Sequence, residues 1–207
     1  MKRVQVTPFI VIGFIIFLFL FIFYSADKLQ NKEFNEKTIE LLDNIAIKNY
    51  VDNCVRQSSS DALLLMGVQG GYAYLVPIPF HAYAADIGYG YYEGISVLPS
   101  LQTFGRELSS FVEKELNSCV RDFEPFKQQG YSITTGIMSV ETTFAADTTV
   151  VNVNWQVKIE KGDKKAAISG FSASVPVRFK KIYETVKTIV SKEEDEPQFV
   201  DVSYLKS

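Results

Sequence analysis

The chain has 207 residues, of which 21 are Lys or Arg and 24 are Asp or Glu. Without Lys2 and Arg3, which precede a long apolar segment, the remainder has 19 basic and 24 acidic residues and a formal charge of −5. Nucleic acids and anionic lipid headgroups are bound by basic surfaces. The composition therefore argues against both as partners, and no nucleic-acid partner is predicted.

Residues 8–24, PFIVIGFIIFLFLFIFY, carry no charge and include six phenylalanines. With their uncharged flanks they reach the roughly 20 residues that a helix needs to cross a ~30 Å hydrocarbon core. Because positive charge is retained on the cytoplasmic side, Lys2 and Arg3 predict a cytoplasmic N-terminus, with residues 25–207 outside the cytoplasm. A cleaved signal peptide has the same polarity but an apolar region of only about 7 to 15 residues. We therefore favour a retained anchor over residues 1–26, contacting the lipid bilayer through residues 8–24.

The segment after the anchor has the pattern of a long helix. From residue 28 to about residue 69 there is no proline, and apolar residues recur at helical spacing. We predict that the anchor continues as a stalk helix, which begins an extracytoplasmic domain over residues 27–190. Residues 58–61, SSSD, could instead end one helix and cap a second, because their side chains satisfy free backbone amides. Gly70 and Gly71 predict the end of the helix.

Residues 72–99 are rich in tyrosine and predict two short strands, over 72–76 and 87–92, joined by an irregular loop. Tyrosine offers a large contact area and a hydroxyl at low entropic cost, so one interpretation is a recognition surface. The preferred interpretation is structural, with the rings packed across the hairpin or on the stalk helix, because aromatic pairs favour such contacts. The candidate contact residues are Tyr72, Tyr74, Tyr83, Tyr89, Tyr91 and Tyr92.

No sequence motif for catalysis or metal binding is recognisable, and no catalytic residue, cofactor or metal is predicted. His81 is the only histidine, and a single histidine does not supply the clustered ligands of a zinc site. Asp86 and Glu93 flank tyrosines that could stack on sugars, which supports an alternative function as a surface glycan-binding or hydrolytic module. The preferred interpretation of both acids is that they are solvated residues beside a structural hairpin.

A second amphipathic helix is predicted to begin after Ser100, the candidate N-cap, and to carry an apolar stripe, interrupted by Glu115, as far as Cys119. Cys54 lies in a similar position, late in the stalk helix. Since these are the only two cysteines and the segment is placed outside the cytoplasm, a Cys54–Cys119 disulfide is predicted. Two inert buried thiols and an intermolecular bridge are the alternatives.

Alternating apolar and polar residues predict a three-stranded antiparallel meander in the C-terminal half. The strands are predicted over 136–144, 151–159 and 171–179, with Pro176 suggesting that the third strand lies at an edge. A helical stripe over residues 179–190 is expected to cover the apolar face of this sheet.

The predicted fold class is α+β. Its elements are an N-terminal transmembrane helix continuing into a stalk helix, a hairpin, a second helix, the three-stranded antiparallel meander and a C-terminal helix. An acidic tail is predicted over residues 191–207. The tail contains FVDVSYL, a pattern typical of a strand that is cut short or that pairs with something else.

Several segments together resemble an uncharacterised group of archaeal single-pass membrane proteins with an extracytoplasmic α+β domain. They are KRVQVTPFIVIG, YVDNC, GVQGGY, GYGYYEG, PSLQTF and VPVRFKKIYE, which are spread over most of the chain. The resemblance implies a location and a fold. More weakly, the start of the chain is similar to the class III signal of archaeal type IV pilins, from which it differs at Val4 and Phe9.

These observations predict a membrane-anchored extracytoplasmic structural or interaction protein of the cell envelope, without enzymatic activity. Its expected partners are the bilayer and either another protein or a second copy of itself. A pilin-like filament subunit is the alternative within the same class. The surface glycan-binding or hydrolytic module is the alternative from another class.

Overall fold

A computed structural model describes residues 7–74 and 76–197 and, within the first helix, the side chains of residues 13–22 and 44–68. The chain divides into two compact units, Met1–Ala46 and Ile47–Ser207, and each is considered by itself. Helix α1, Thr7–Val68, contributes residues to both units.

In the first unit the described side chains of α1 are apolar on every side. Residues 14–22 are all Phe, Ile or Leu, and each is between 45 and 65% exposed. A search of the described residues for a membrane-crossing helix finds none of sufficient length and hydrophobicity. The anchor over residues 8–24 stays a prediction, because the described side chains cover only 13–22 of it.

In the second unit α1 continues without interruption to Val68, so the predicted helix is present and a break at residues 58–61 does not occur. The serine hydroxyls donate within the helix instead. Ser59 Oγ donates to the carbonyl of Val55 at 2.6 Å, and Ser60 Oγ donates to that of Arg56 at 2.9 Å. The helix ends where predicted, since the glycines that follow have φ of +69° and +104° at Gly70 and Gly71.

Helix α2, Leu101–Val120, begins at the predicted cap, because the Ser100 side chain accepts a hydrogen bond from the Thr103 amide at 3.1 Å. Its buried residues lie four positions apart, so the stripe agrees with the predicted one as far as Val112 and then lies one position beyond the predicted Glu115 and Cys119. The stripe consists of Phe104, Leu108, Val112, Leu116 and Val120.

Cys54 and Cys119 form a disulfide that joins α1 to α2, with Cα atoms 5.7 Å apart. The predicted pairing within one chain is therefore confirmed. Tyr50, one turn before Cys54, places its hydroxyl 3.3 and 3.2 Å from the carbonyl oxygens of Cys119 and Val120. It thus donates to carbonyls that have no partner within the last turn of α2.

A left-handed turn follows the disulfide. Arg121, Asp122 and Phe123 have φ of +46°, +52° and +57°, a conformation that costs non-glycine residues about 1 to 3 kcal/mol each. The compensation is burial, because Phe123 is almost completely buried and its ring lies 5.7 Å from that of Trp155. A short helix α3, Glu124–Lys127, then leads into the sheet.

The main sheet is antiparallel and is built around one central strand. Strands β5, Ser132–Phe144, and β6, Thr149–Lys161, pair along most of their length. Strands β7, Lys164–Ile168, and β8, Phe171–Val175, both pair with the other edge of β6, one after the other. The predicted third strand is thus present as β8, which begins at Phe171 as predicted, whereas β7 was not predicted. The two strands are separated by residues 169–170, where Gly170 has φ of +88°.

One face of this sheet forms the core and the other faces solvent. On β6 the side chains from Val151 to Ile159 alternate between buried and exposed, as predicted. The buried face packs against the C-terminal half of α1 and against α2, whose apolar residues belong to the same cluster. Asp52 Oδ1 also accepts the amide of Ser172 at 3.0 Å, which links α1 directly to β8.

Two predictions about the end of the chain are wrong. The third strand ends at Val175, so Pro176 lies beyond it instead of within it. Helix α4, Phe179–Asp195, does not cover the sheet, because α1 and α2 already occupy that face. It also continues five residues into the predicted acidic tail, of which residues 198–207 lie outside the described part of the chain.

Helix α4 instead packs at one end of the core. Phe179 stacks on Phe144 with ring centroids 4.6 Å apart, and Phe179 and Tyr183 contact Phe104 edge-on at 5.5 and 5.7 Å. Its only nearly buried residue is Val190. The domain is thus a mixture of helices and antiparallel sheets, which confirms the coarse fold class.

Candidate functional site

The tyrosine-rich segment folds into two small hairpins, which we call the head, defined as residues 72–74 and 76–98. Strands β1, Pro79–His81, and β2, Asp86–Gly88, form the first hairpin. Strands β3, Tyr91–Tyr92, and β4, Ile95–Ser96, form the second. The single predicted hairpin is wrong, because 72–74 and 76 are not strand and the span 87–92 is divided between β2 and β3.

The first hairpin is closed by a pair of polar side chains. His81 and Asp86 are register partners, and His81 Nδ1 lies 2.7 Å from Asp86 Oδ1. Inside this pair the Ala82 amide donates to the Ala85 carbonyl at 3.0 Å. These contacts fix the four-residue loop that carries Tyr83. His81, for which the sequence indicated no partner, thus has a structural role.

The second hairpin turns at Glu93 and Gly94, which have φ of +50° and +90°. Positive φ at both central residues is typical of a type I′ turn, the form that matches the twist of a hairpin. The hairpin is tied to the C-terminal helix, because the Ser96 amide donates to Glu194 Oε1 at 2.8 Å.

Three glycines allow the first hairpin to sit directly on the helices. A Cβ at Gly70 would lie 2.7 Å from the Gly88 carbonyl oxygen, and one at Gly88 would lie 2.6 Å from Cε2 of Tyr72. At Gly71 a Cβ would overlap the ring of Phe104. The Gly88 amide also donates to the carbonyl of Gln69 at 3.1 Å. We call this set of contacts the glycine junction.

Tyr72 is half-buried and packs on the domain, whereas Tyr74 contacts the domain and is 39% exposed. The Tyr72 ring covers Gly88, as described above. The Tyr74 hydroxyl donates to the Ser110 carbonyl at 3.2 Å, and its ring lies 6.0 Å from that of Phe111. Nearby, Glu107 Oε2 accepts the Ala73 amide at 3.3 Å. The contacts of Tyr72 thus agree with the structural interpretation, whereas Tyr74 packs on α2 and is also partly exposed.

Three of the predicted tyrosines lie in the hairpins and are half-buried, namely Tyr89, Tyr91 and Tyr92. The Tyr89 ring lies 5.2 Å from that of Tyr92 and 6.2 Å from that of Phe80, which it meets edge-on. These rings connect the two hairpins and support the residues at the surface.

Tyr83 differs from the other tyrosines because it is fully exposed. It is accompanied by three apolar side chains that were not among the candidates, Phe80 at 52%, Ile95 at 61% and Ile78 at 38% exposure. Together with Tyr74, which is 39% exposed, these residues are the part of the head that is open to a partner. A prediction based on tyrosine content does not include the three apolar residues, although IPF, directly before His81, is as apolar as any part of residues 72–99.

Two tyrosines in the head have a pKa above the usual value for a tyrosine. Burial raises the pKa of Tyr72, and the nearby carboxylate of Glu107 raises it further. The pKa of Tyr92 is raised by its hydrogen bond to Glu93 and then by the charge of the same carboxylate. Both phenols are therefore neutral hydrogen-bonding groups at physiological pH.

The two acids proposed for a hydrolytic alternative have separate partners. Asp86 is engaged with His81, and Glu93 occupies the turn beside Tyr92. Within the described ranges no group of three or more His, Cys, Asp or Glu side chains is placed to hold a metal ion.

An apolar groove of about 200 Å³ lies between the head and the helices. Its lining includes Met66, Leu98, Phe104 and Tyr183, together with glycines of the junction. Because Gly90 approaches Val190 here, α4 closes one side of the groove. The groove thus lies between the base of the head and the core. Its described lining includes no charged side chain.

Comparison with protein-family models, curated proteins and solved structures finds no match to this chain. The resemblance to archaeal membrane proteins and pilins therefore stays a prediction, and the function is argued from the geometry alone.

Proposed function

We propose that this chain is a membrane-anchored interaction protein without enzymatic activity. Its disulfide-closed domain lies outside the cytoplasm and contacts another protein of the cell envelope through the head. The observation that carries this proposal is the fully exposed Tyr83 on a loop held by the His81–Asp86 pair.

The location rests on three features. Residues 8–24 are uncharged and follow two basic residues. The described apolar side chains in this segment are exposed on all sides of the helix, as expected for a helix surrounded by lipid or by other apolar helices. Disulfides persist in oxidising compartments and are rare in the cytosol, which favours an external position for Cys54 and Cys119.

The contact role rests on the composition and the rigidity of the head. Residues 72–98 contain no Lys or Arg, and their only acidic residues are Asp86 and Glu93. Such a surface suits an apolar or aromatic pocket of a partner protein better than a phosphate or a headgroup. Because the hairpins are closed by their own hydrogen bonds, the exposed rings lose little freedom when they bind.

A photo-crosslinking experiment tests this assignment. A benzoyl-phenylalanine placed at position 80 or 83 in native cells is expected to form an adduct of one defined mass upon irradiation. The same residue at position 174, which is exposed on the polar face of the sheet, is the control and should give none.

The crosslinking result also separates the alternative functions. Equal adducts from positions 83 and 174, or none from either head position, contradict a contact surface in the head. An adduct removed by glycosidase treatment contradicts a protein partner and favours the glycan-binding module. A ladder of adducts made only of this chain favours the pilin-like filament.

A further inference from the structure

The two hairpins of the head are supported by different helices. The first hairpin rests on the end of α1 and on α2 through the glycine junction, where the Gly88 amide donates to the Gln69 carbonyl at 3.1 Å and Gly71 lies against the Phe104 ring. The second hairpin contacts α4, which meets both β3 and β4. The exposed surface of the head is therefore built on two separate supports.

The geometry of the second hairpin directs one backbone amide towards α4. The Val97 amide donates across the hairpin to the Gly90 carbonyl at 2.9 Å. Because paired and unpaired positions alternate along an antiparallel strand, the Ser96 amide points away from β3. There it donates to Oε1 of Glu194 at 2.8 Å. A carboxylate acceptor makes this hydrogen bond stronger than one to a neutral oxygen.

A second contact lies one helical turn before this hydrogen bond. Val190 is only 8% exposed, and a Cβ at Gly90 would lie 3.0 Å from its Cγ2 atom. Residues four apart lie on the same face of a helix, so Val190 and Glu194 present one face of α4 to the hairpin. This face holds the start of β3 through Gly90 and β4 through Ser96.

Aromatic rings hold the other end of α4 against the core. Phe179 stacks on Phe144 with ring centroids 4.6 Å apart and meets Phe104 edge-on at 5.5 Å. Tyr183, one turn later, also meets Phe104 edge-on, at 5.7 Å. The same Phe104 ring lies against Gly71 of the glycine junction. Helix α4 thus links the core to the second hairpin.

This link determines where part of the exposed surface lies. Ile95 is 61% exposed and directly precedes Ser96, whereas Phe80 and Tyr83 belong to the first hairpin. We infer that α4 positions the second half of the partner-contact surface and that Glu194 is its positioning residue. The inference rests on the proposed function, because it concerns the same surface. The partner is accordingly a protein surface wide enough to contact both hairpins at once.

Hydrogen exchange of the full chain in detergent tests the positioning role without a partner. In E194A, which removes the acceptor, and in E194D, which shortens the side chain, the Ser96 amide is expected to exchange about three to ten times faster, the effect of losing one hydrogen bond. E194Q keeps an oxygen acceptor and should keep most of the protection. E196A, which removes the same charge at the exposed end of α4, is the control and should change nothing. The Val97 amide, bonded within the hairpin, should exchange at its natural rate in every variant.

Photo-crosslinking in native cells tests the consequence for partner contact. Benzoyl-phenylalanine is placed at position 95 or at position 83, and the ratio of the two adduct yields is compared between variants. In E194A this ratio is expected to fall at least about threefold, because a hairpin released from α4 must be ordered again when the partner binds. In E194Q and E196A the ratio should stay near that of the natural chain.

Three results overturn the inference. One is an unchanged exchange rate of the Ser96 amide in E194A. Another is faster exchange of both Ser96 and Val97, which would show that Glu194 stabilises the hairpin as a whole instead of positioning it. The third is an unchanged ratio of adducts from positions 95 and 83 in E194A. Absence of adducts from positions 80 and 83 in the natural chain contradicts the proposed function instead, and the exchange rates then still show whether Glu194 holds the second hairpin on α4.

Discussion

Removal of the Cys54–Cys119 disulfide is expected to lower the free energy of unfolding by about 4 kcal/mol in the chain-entropy model, in which the 65-residue loop regains its freedom in the unfolded state. The bridge also holds the two helices that form the core against the sheet. The measurement is urea unfolding of the full chain in detergent, with and without reductant.

Matched variants identify the source of the effect. The single changes Cys54→Ser and Cys119→Ser and the double change should each lose about the same free energy, because each removes the whole bridge. Reductant should then have no further effect on any of them. Unfolding of the natural chain that does not respond to complete reduction contradicts a stabilising role for the bridge.

Substitution Gly71→Ala is expected to cost about 3 kcal/mol or more. The added Cβ overlaps the Phe104 ring, and overpacking a core costs about 1 to 3 kcal/mol. The residue also has φ of +104°, which is strained for alanine by a further 1 to 3 kcal/mol or so. The measurement is the shift of the urea midpoint relative to the natural chain.

Gly67→Ala is the matched control for this substitution. Gly67 lies in the last turn of α1, and nothing lies within 4 Å of where its Cβ would be. Because alanine is favoured over glycine in a helix by up to about 1 kcal/mol, this change should be neutral or stabilising. Equal losses at both positions would show that the glycine junction is not a close contact. Partial recovery in the double variant Gly71→Ala, Phe104→Leu would identify the ring as the obstacle.

The strongly periodic elements of this chain could be predicted from sequence because the burial of one apolar face is enough to determine each of them. Residues 151–159 alternate without exception, and burial of one face then determines the strand. The disulfide followed from two cysteines in matching helical contexts. In α2 the predicted stripe ends at Cys119, whereas Leu116 and Val120 complete the buried face, because Cys119 is held by its disulfide at the side of that face.

Other features depend on contacts that no local pattern contains. The stripe of α4 indicates that the helix has an apolar face, but not which surface meets it, and α1 and α2 already cover the sheet. The head consists of strands of two or three residues, too short for periodicity to appear. Its conformation depends on the glycine junction and on the His81–Asp86 pair, which form only when the hairpin meets the helices.

The candidate surface was predicted by residue type and therefore only in part. Tyr83 is exposed as a contact residue should be, whereas Tyr72 lies against Gly88 and Tyr74 is bound to α2 through its hydroxyl. Phe80 and Ile95 belong to the exposed surface because they lie on the outward sides of the hairpins, and not because of their residue type. Exposure is a property of the folded chain, and composition alone does not supply it.

The thiol state of the membrane-bound protein in native cells tests most directly whether the chain holds an oxidised domain outside the cytoplasm. Cells are quenched in acid, membranes are washed with alkaline carbonate, and free thiols are coupled to a maleimide mass tag. We predict that the protein stays in the washed membranes and accepts no tag before reduction and two tags after it, since its two cysteines form one bridge. Release into the wash, or two tags without reduction, would contradict the proposed location.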